Sequence, residues 1–136
     1  MYKVLFIEDD PDQIMVYDFK FKKENLALII AADEKETLAA IHREKPDLVL
    51  LDLLLKNESG LSILEKIRKE ASIKDIPVIV FTNYDKEDVR MRADELGAID
   101  FIIKAQTYPQ EMADKIKVFL ETSHYAKGLK KEKPVQ

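Results

Sequence analysis

The stretch VLFIEDDPD, residues 4–12, joins a wholly apolar run directly to three consecutive acidic residues and then to a helix start signal. The run VLFI has no polar residue for either face, which is typical of a strand buried on both sides of a parallel sheet. Asp10 can cap a following helix, with Pro11 at its first position and Gln13 reaching back from the third. The stretch therefore predicts one strand-to-helix unit with acidic residues at the junction.

The same unit recurs along nearly the whole chain. Apolar runs predict five strands, VLFI (4–7), LALIIA (26–31), DLVLLD (47–52), IPVIVFT (76–82) and FIIK (101–104). Helix signals follow them, namely caps at Asp10 and Asp33, apolar spacing from Leu61 to Ile67, an amphipathic run from Asp85 to Leu96 that stops at Gly97, and a start after Pro109. Because parallel strands need crossovers of helical length, we predict an α/β fold. The expected form is a doubly wound, five-stranded parallel sheet of flavodoxin-like order 2-1-3-4-5, with helices on both faces.

Composition narrows the class of protein. With 136 residues and 46% hydrophobic content, the chain suits one domain, assigned to residues 1–124, before a basic polar tail over 125–136 that we expect to be flexible. The net charge of −4 offers no basic surface for nucleic acid, and no apolar run reaches the roughly 18 residues of a membrane span. The absence of cysteine excludes disulfides and thiolate metal sites and favours a reducing compartment. We therefore expect a cytoplasmic protein that binds neither nucleic acid nor membrane.

Polar residues stand at the ends of four of the five predicted strands. They are Glu8 and Asp9 after the first strand, Asp52 at the end of the third, Thr82 at the end of the fourth and Lys104 at the end of the fifth. The carboxyl ends of parallel strands share one edge of a sheet, where ligands bind at the switch point between the first and third strands. One polar residue at a strand end is often merely solvated, but four strand ends converging on one crevice predict a functional site.

The residue types at this edge indicate phosphoryl chemistry. Close carboxylates repel one another by about 4 kcal/mol per pair at an effective dielectric constant near 20, so the cluster must take up protons or bind a cation. Without cysteine or a nearby histidine the ligands are all oxygen, which favours Mg²⁺ or Mn²⁺ over zinc. Asp52 can then accept a phosphoryl group as a mixed anhydride, while Thr82 and Lys104 donate to the oxygens of that group.

Four segments in this order, FIEDD, LDLLLKNESG, VFTN and FIIKA, resemble the receiver domain of two-component response regulators, of the stand-alone, chemotaxis-regulator-like type. The resemblance covers residues 2 to about 122. It implies that a histidine kinase or phosphotransfer protein phosphorylates Asp52, with the help of Thr82 and Lys104. The implied metal is Mg²⁺, replaceable by Mn²⁺, and its implied protein ligands are Glu8, Asp9, Asp52 and the Leu54 backbone carbonyl.

The same resemblance implies a signalling protein that assists its own phosphorylation and is not an enzyme in the ordinary sense. Thr82 and Phe101 look like its switch pair, in which the aromatic ring follows the hydroxyl inward and changes the face made by helix 4, strand 5 and helix 5. Phe101 is equally well explained as an ordinary packed aromatic. The implied partner is a downstream protein target, and the implied assembly is a monomer or a weak homodimer.

The chain departs from the family pattern at several positions. Lys56 and Ala105 stand where the family usually has proline, the second commonly through a cis bond, and Ser59 stands where it often has aspartate. The change at Lys56 predicts a looser loop after the acceptor. Two positions that tune loss of the phosphoryl group in the family are Leu54 and Tyr84, and neither can orient an attacking water. We therefore predict slow self-dephosphorylation.

Other functions fit the sequence less well. A flavin or nucleotide binder on this fold needs a phosphate-cradling loop of Gly, Ser and Thr after the first strand, where this chain has EDDPD. A phosphohydrolase of the haloacid-dehalogenase kind needs a DxDx(T/V) motif there, and none occurs. A non-phosphorylated pseudo-receiver scaffold, or a receiver fragment of a longer regulator, stays open as the alternative.

Overall fold

The computed structural model describes the backbone of residues 1–132 and the side chains of residues 1–123. Strands and α-helices alternate along this part of the chain, with a short 3-10 turn before the last helix. Their bounds are β1 Tyr2–Ile7, α1 Pro11–Lys23, β2 Leu26–Ala31, α2 Glu34–Glu44, β3 Leu48–Leu51, α3 Gly60–Lys69, β4 Val78–Thr82, α4 Glu87–Glu95, β5 Asp100–Ile103, the 3-10 turn Lys104–Gln106 and α5 Pro109–Glu132.

The five strands form one parallel sheet in the order β2-β1-β3-β4-β5, which confirms the predicted fold and strand order. In the register, Ile7 at the end of β1 lies opposite Leu51 at the end of β3. The N–H of Asp52 continues this ladder by donating to the Ile7 carbonyl at 3.1 Å. The residues that follow β1 and β3 therefore emerge side by side at the switch point of the sheet.

Side chains of the strands alternate between two cores, one on each face of the sheet. One core receives α2, α3 and α4, and the other receives α1 and α5. The second core holds an edge-to-face aromatic cluster in which Tyr17 contacts Phe6, Phe21 and Phe81, with ring centroids 5.3–5.9 Å apart. Each buried aliphatic or aromatic side chain contributes about 1.5–3 kcal/mol, so burial on both faces holds the strand ends in fixed positions.

The helix caps follow the sequence prediction with one correction. Asp10 is the N-cap of α1 and Pro11 is its first residue, but the Asp10 carboxylate accepts the N–H of Asp12 at 2.9 Å. Gln13 does not complete a capping box. The backbone N–H of Asp10, which Gln13 would bind in a capping box, donates instead to the Glu8 carboxylate two residues earlier in the chain.

Helix α5 continues to Glu132, beyond residue 124 where the sequence analysis ends the domain. The predicted tail over 125–136 falls partly on this helix and partly on 133–136, which lie outside the described residues. Its flexibility stays a prediction. Within the described part of the chain, no helix has the length and apolar character to cross a membrane.

Candidate functional site

Four polar side chains meet where the strands end. Glu8 directly follows β1 and Asp52 directly follows β3, and their relative exposures are 1% and 5%. Thr82 is the last residue of β4 and is fully buried. Lys104 begins the turn after β5, and its side chain is 10% exposed. The structure thus brings these four predicted site residues into one hydrogen-bonded cluster.

Lys104 is the cation of the cluster. Its Nζ donates to Asp52 Oδ2 at 2.9 Å and also pairs with Glu8 Oε1. Burial by itself lowers the pKa of Lys104, but the hydrogen bonds and charges of Glu8 and Asp52 outweigh burial and raise that pKa above its ordinary value. Lys104 therefore carries its charge throughout the neutral range.

Both carboxylate oxygens of Asp52 are fixed by donors. Oδ1 accepts the Thr82 hydroxyl at 2.8 Å and the Leu54 N–H at 3.1 Å, while Oδ2 accepts Lys104. The Thr82 hydroxyl oxygen also accepts the N–H of Tyr84 at 3.2 Å, which aims its proton at the carboxylate. The arrangement presents a carboxylate of set orientation beside two donors that could bind a negatively charged group.

Glu8 is the more deeply buried of the two carboxylates that face Lys104. Its Oε2 accepts the backbone N–H groups of Asp9 and Asp10, at 3.1 and 3.3 Å. Burial raises the pKa of Glu8, and the charge of Asp52 adds to the rise, while Lys104 opposes it. Glu8 lies close enough to the core to act on Tyr17, whose pKa is raised to about 12, first by burial and then by the Glu8 charge.

Asp9 and Leu54 lie at the rim. The Asp9 carboxylate accepts the Lys56 N–H at 2.6 Å. A proline at position 56 could not make this bond, so the lysine adds one restraint to the loop after β3, and the expectation of a looser loop stays a prediction. Leu54 binds Asp52 through its N–H, while its side chain is 54% exposed.

The loop between β3 and α3 is held at both ends. Leu54 and Ser59 form an antiparallel bridge, and the Ser59 hydroxyl accepts the Leu61 N–H to cap α3. A Cβ on Gly60 would lie 2.2 Å from the Asp52 carbonyl oxygen, so only glycine allows this approach of the helix to the strand end. The backbone around Asp52 is therefore determined by close packing.

These residues surround a pocket, which we term the acidic pocket, of about 370 Å³. It is lined by Glu8, Asp9, Asp10, Pro11, Gln13, Asp52, Leu54, Lys56, Asn83 and Lys104. A cavity of about 400 Å³ at the opposite edge of the sheet, bounded by Tyr2 and Phe119, contains none of the predicted site residues. The convergence of charged groups makes the acidic pocket the candidate site.

The donors of the acidic pocket suit a hard divalent cation in kind and charge. Four acidic residues, Glu8, Asp9, Asp10 and Asp52, and two lysines, Lys56 and Lys104, line the pocket, which leaves two negative charges to be compensated. Among residues 1–123, whose side chains the structure describes, no three acidic or histidine side chains are arranged closely enough to hold a metal ion as they stand. Glu8 and Asp52 are turned toward Lys104, and Asp9 is turned toward the loop after β3.

Phe101 lies on β5 opposite Val80 and is half-buried against the core that receives α4. The Arg90 guanidinium of α4 stacks over its ring at 4.6 Å from the centroid, and Arg90 also binds the Asp85 carboxylate at 2.5 Å. Thr82 lies on the neighbouring strand, with its hydroxyl on Asp52. The two predicted switch residues are thus on adjacent strands, and the ring is covered by a cation that the sequence analysis did not identify.

Asn83 is a second residue that the sequence analysis missed. It directly follows Thr82, lines the acidic pocket, and accepts the N–H of Ala105 at 2.7 Å. The Lys104–Ala105 peptide is trans. Asn83 could have been identified from its position in the sequence, because it directly follows the last residue of a strand whose carboxyl end lies at the site.

Comparisons with known proteins agree with this fold. A model of the response regulator receiver domain family matches residues 4–117. The structure is similar to a CheY-like response regulator receiver domain protein from Methanospirillum hungatei JF-1, with 26% identity, a TM-score of 0.82, and coverage of 93% of this chain and 98% of that one. It is similar to the BeF3-activated N-terminal receiver domain of Klebsiella pneumoniae RstA, with 28% identity, a TM-score of 0.76, and coverage of 87% and 97%. The Mn(2+)-bound form of response regulator Rcp1 matches with 26% identity, a TM-score of 0.74, and coverage of 88% and 94%.

Proposed function

This chain belongs to the response regulator receiver domain family, and from that membership we propose that it is a phosphoacceptor signalling protein of a two-component or phosphorelay system. The acceptor is Asp52. The observation that carries the proposal is its buried carboxylate, with the Thr82 hydroxyl on one oxygen and the Lys104 ammonium on the other.

The phosphoryl donor is a phosphohistidine of a histidine kinase or phosphotransfer protein. A carboxylate oxygen of Asp52 attacks the phosphorus, the new P–O bond forms as the P–N bond breaks, and the imidazole nitrogen keeps the bonding electron pair. The product is an aspartyl phosphate. Lys104 and Thr82 donate to the oxygens of the transferred group, and these fixed donors stabilise the negative charge that the group carries.

Mg²⁺ is the proposed cofactor, and Mn²⁺ can replace it. Glu8, Asp9, Asp52 and the Leu54 carbonyl would hold the ion, whose chemistry is to neutralise charge on the transferred group. The all-oxygen donors and the two uncompensated charges support this assignment. The Mn(2+)-bound form of the similar protein Rcp1 supports it as well.

The partner that delivers the phosphoryl group needs a surface beside the acidic pocket. Pro11 lines that pocket, and Met15 and Phe19 continue from it along the same side of α1. Met15 is 67% exposed and Phe19 is 63% exposed, which is unusual for large apolar side chains on the outer face of a helix. We assign this stripe to docking of the donor protein.

The signal leaves through the face formed by α4, β5 and α5, toward a downstream protein target. Thr82 is opposite Ile103 in the sheet, so a shift of its hydroxyl toward a phosphoryl group acts on β5 and on Phe101. Exposed apolar surface is left by Met91 on α4, by Ile99 directly before β5, and by Val118 on α5. The BeF3-activated form of the similar RstA domain supports activation through the acceptor site. We place this signalling in the cytoplasm, with the protein as a monomer or weak homodimer.

The phosphorylated state is proposed to persist. The Leu54 side chain stands exposed beside Asp52 and offers no group that could orient a water molecule. Tyr84 is half-buried against the core, and its backbone N–H rather than its hydroxyl binds near the site. Self-dephosphorylation is therefore slow, and an aspartyl phosphate with a half-life of seconds would contradict this part of the proposal.

Mass spectrometry tests the central claim. Incubation with phosphoramidate or acetyl phosphate and Mg²⁺ should add about 80 Da, one phosphoryl group, to the intact protein. Asp52→Asn should add nothing, whereas Asp94→Asn, an exposed carboxylate of α4, should label like the unaltered chain. Equal labelling of Asp52→Asn would remove Asp52 from its role.

A further inference from the structure

Five residues form a closed ring of interactions beside the acidic pocket. Asp52 accepts hydrogen bonds from Thr82 on one carboxylate oxygen and from Lys104 on the other. The next residues along the chain, Asn83 and Ala105, are joined by the 2.7 Å bond from the Ala105 N–H to Asn83 Oδ1. The two donors to Asp52 are thus linked twice, once through the carboxylate and once through their neighbours.

The second link depends on the residue types at both positions. Position 105 must supply an N–H, which alanine has and proline lacks. Asn83 supplies an amide oxygen from an exposed side chain, and it directly follows the fully buried Thr82. The turn that carries Lys104 is short, covering only Lys104–Gln106, and its N-cap residue Ile103 makes no side-chain cap bond. The Thr107 hydroxyl donates to the Ile103 carbonyl at 3.1 Å, so the bonds of the turn itself do not reach β4. The bond to Asn83 adds a restraint from outside the turn.

We propose that Asn83 is a positioning residue that holds the Lys104 turn to the end of β4, so that the Thr82 hydroxyl and the Lys104 ammonium act on Asp52 as one unit. Lys104 also pairs with Glu8, and a loosened turn would let the ammonium rest on Glu8 alone. With the turn held, both donors stay within reach of the acceptor, and the Lys104 ammonium does not have to return from Glu8 before it contacts a phosphoryl group. This consequence for phosphorylation rests on the proposed function, whereas the coupling of the two loops is a property of the fold.

Amide exchange measured by NMR tests the coupling without any phosphorylation. Asn83→Ala should speed solvent exchange of the Ala105 amide by about five- to tenfold, which is the effect of losing one hydrogen bond. It should also speed exchange of the Tyr84 amide, whose N–H donates to the Thr82 hydroxyl on the other side of the ring. Asn83→Asp keeps an acceptor oxygen and should stay within about twofold of the unaltered protein at both amides.

Gln106→Ala is the matched control, because Gln106 is an exposed amide side chain in the same turn. It should change neither exchange rate. If Asn83→Ala speeds exchange at Ala105 but leaves Tyr84 unchanged, the bond is local and the proposed coupling is wrong. If Asn83→Asp speeds exchange as much as Asn83→Ala does, the acceptor oxygen at position 83 is not the group that holds the turn, and the proposal is overturned as well.

The kinetic arm uses phosphoramidate and the rate of mass gain at Asp52. Asn83→Ala and Ala105→Pro remove the two ends of one bond, so each should slow labelling by about tenfold, and the double variant should be no slower than either. Fully additive losses would refute the ring as the cause. Because the residue before a proline is conformationally restricted, Ala105→Pro counts only if its circular dichroism matches the unaltered protein. If the unaltered protein is not labelled, the proposed function is contradicted. The amide exchange rates then decide by themselves whether Asn83 couples the two loops.

Discussion

Replacement of Lys104 by methionine should destabilise the fold in a way that depends on pH. Methionine keeps the length of the side chain but removes the ammonium that pairs with Glu8 and Asp52, which are 1% and 5% exposed. Removing one partner of a buried ion pair costs about 3–5 kcal/mol, because the remaining charge stays buried and unpaired. The two carboxylates add mutual repulsion, up to about 4 kcal/mol if both stay ionised, so one of them takes up a proton instead. We expect a loss of about 3–4 kcal/mol in the free energy of unfolding at pH 7.

The pH dependence follows from Glu8. Its folded-state pKa already lies above the ordinary 4.5 because of burial, and loss of Lys104 removes the influence that opposes the rise. A carboxyl with a raised folded pKa stabilises the fold below its unfolded pKa and loses that contribution as the pH rises through the folded value. The deficit of Lys104→Met should therefore be largest at pH 7 and shrink toward pH 4.5.

Urea unfolding followed by circular dichroism at pH 7, 6 and 5 measures this deficit, with Lys115→Met as the matched control. Lys115 is an exposed lysine of α5 on the outer face of the helix, and its replacement should change the free energy of unfolding by less than about 0.5 kcal/mol. A deficit below about 1 kcal/mol for Lys104→Met at pH 7, or one that stays constant down to pH 5, would refute the argument that Lys104 neutralises buried carboxylates.

Three further predictions concern other parts of the structure. Gly60→Ala should cost about 3 kcal/mol or more in urea unfolding, because its Cβ would lie 2.2 Å from the Asp52 carbonyl oxygen, whereas Ser62→Ala on the same helix should be nearly neutral. The free energy of unfolding should fall between pH 10 and about 12, by at most about 1.4 kcal/mol per pH unit, because Tyr17 loses its proton at lower pH in the unfolded chain than in the folded protein. Tyr17→Phe should reduce this dependence on pH. Millimolar MgCl₂ should raise the melting temperature, by the equivalent of about 1.4 kcal/mol at ten times the dissociation constant, and an equal rise in Asp9→Asn would exclude Asp9 as a ligand.

The fold could be predicted because local pattern and global packing agree. The run LALIIA predicted the bounds of β2, Leu26–Ala31, without error, since its apolar side chains match the two faces of a buried strand. Helix α4 was predicted from Asp85 but begins at Glu87. Its N-cap is Lys86, which makes no side-chain cap bond, and lysine is not a residue type that indicates an N-cap. Element boundaries that depend on burial could be predicted from the sequence, and boundaries that depend on loop geometry could not.

The partners within the site were less predictable than its members. The strand ends indicated that Asp52 and Lys104 would meet, but pairing of Lys104 with Glu8 depends on how far each side chain reaches. The bonds from Lys56 to Asp9 and from Ala105 to Asn83 use backbone N–H groups of loops, whose directions follow from loop conformation rather than residue type. The roles in phosphoryl transfer and metal binding stay predictions.

The contact between Glu8 and Lys104 joins residues that are 96 positions apart in the chain. Closing so long a segment costs entropy that is recovered only when the intervening strands have packed, so we expect this contact to form late in folding. A nascent chain from which β5 has not yet left the ribosome therefore has the Asp52 carboxylate without the Lys104 ammonium that pairs with it. Under the proposed function, the chain could accept a phosphoryl group only after the turn that follows β5 has brought Lys104 to Asp52.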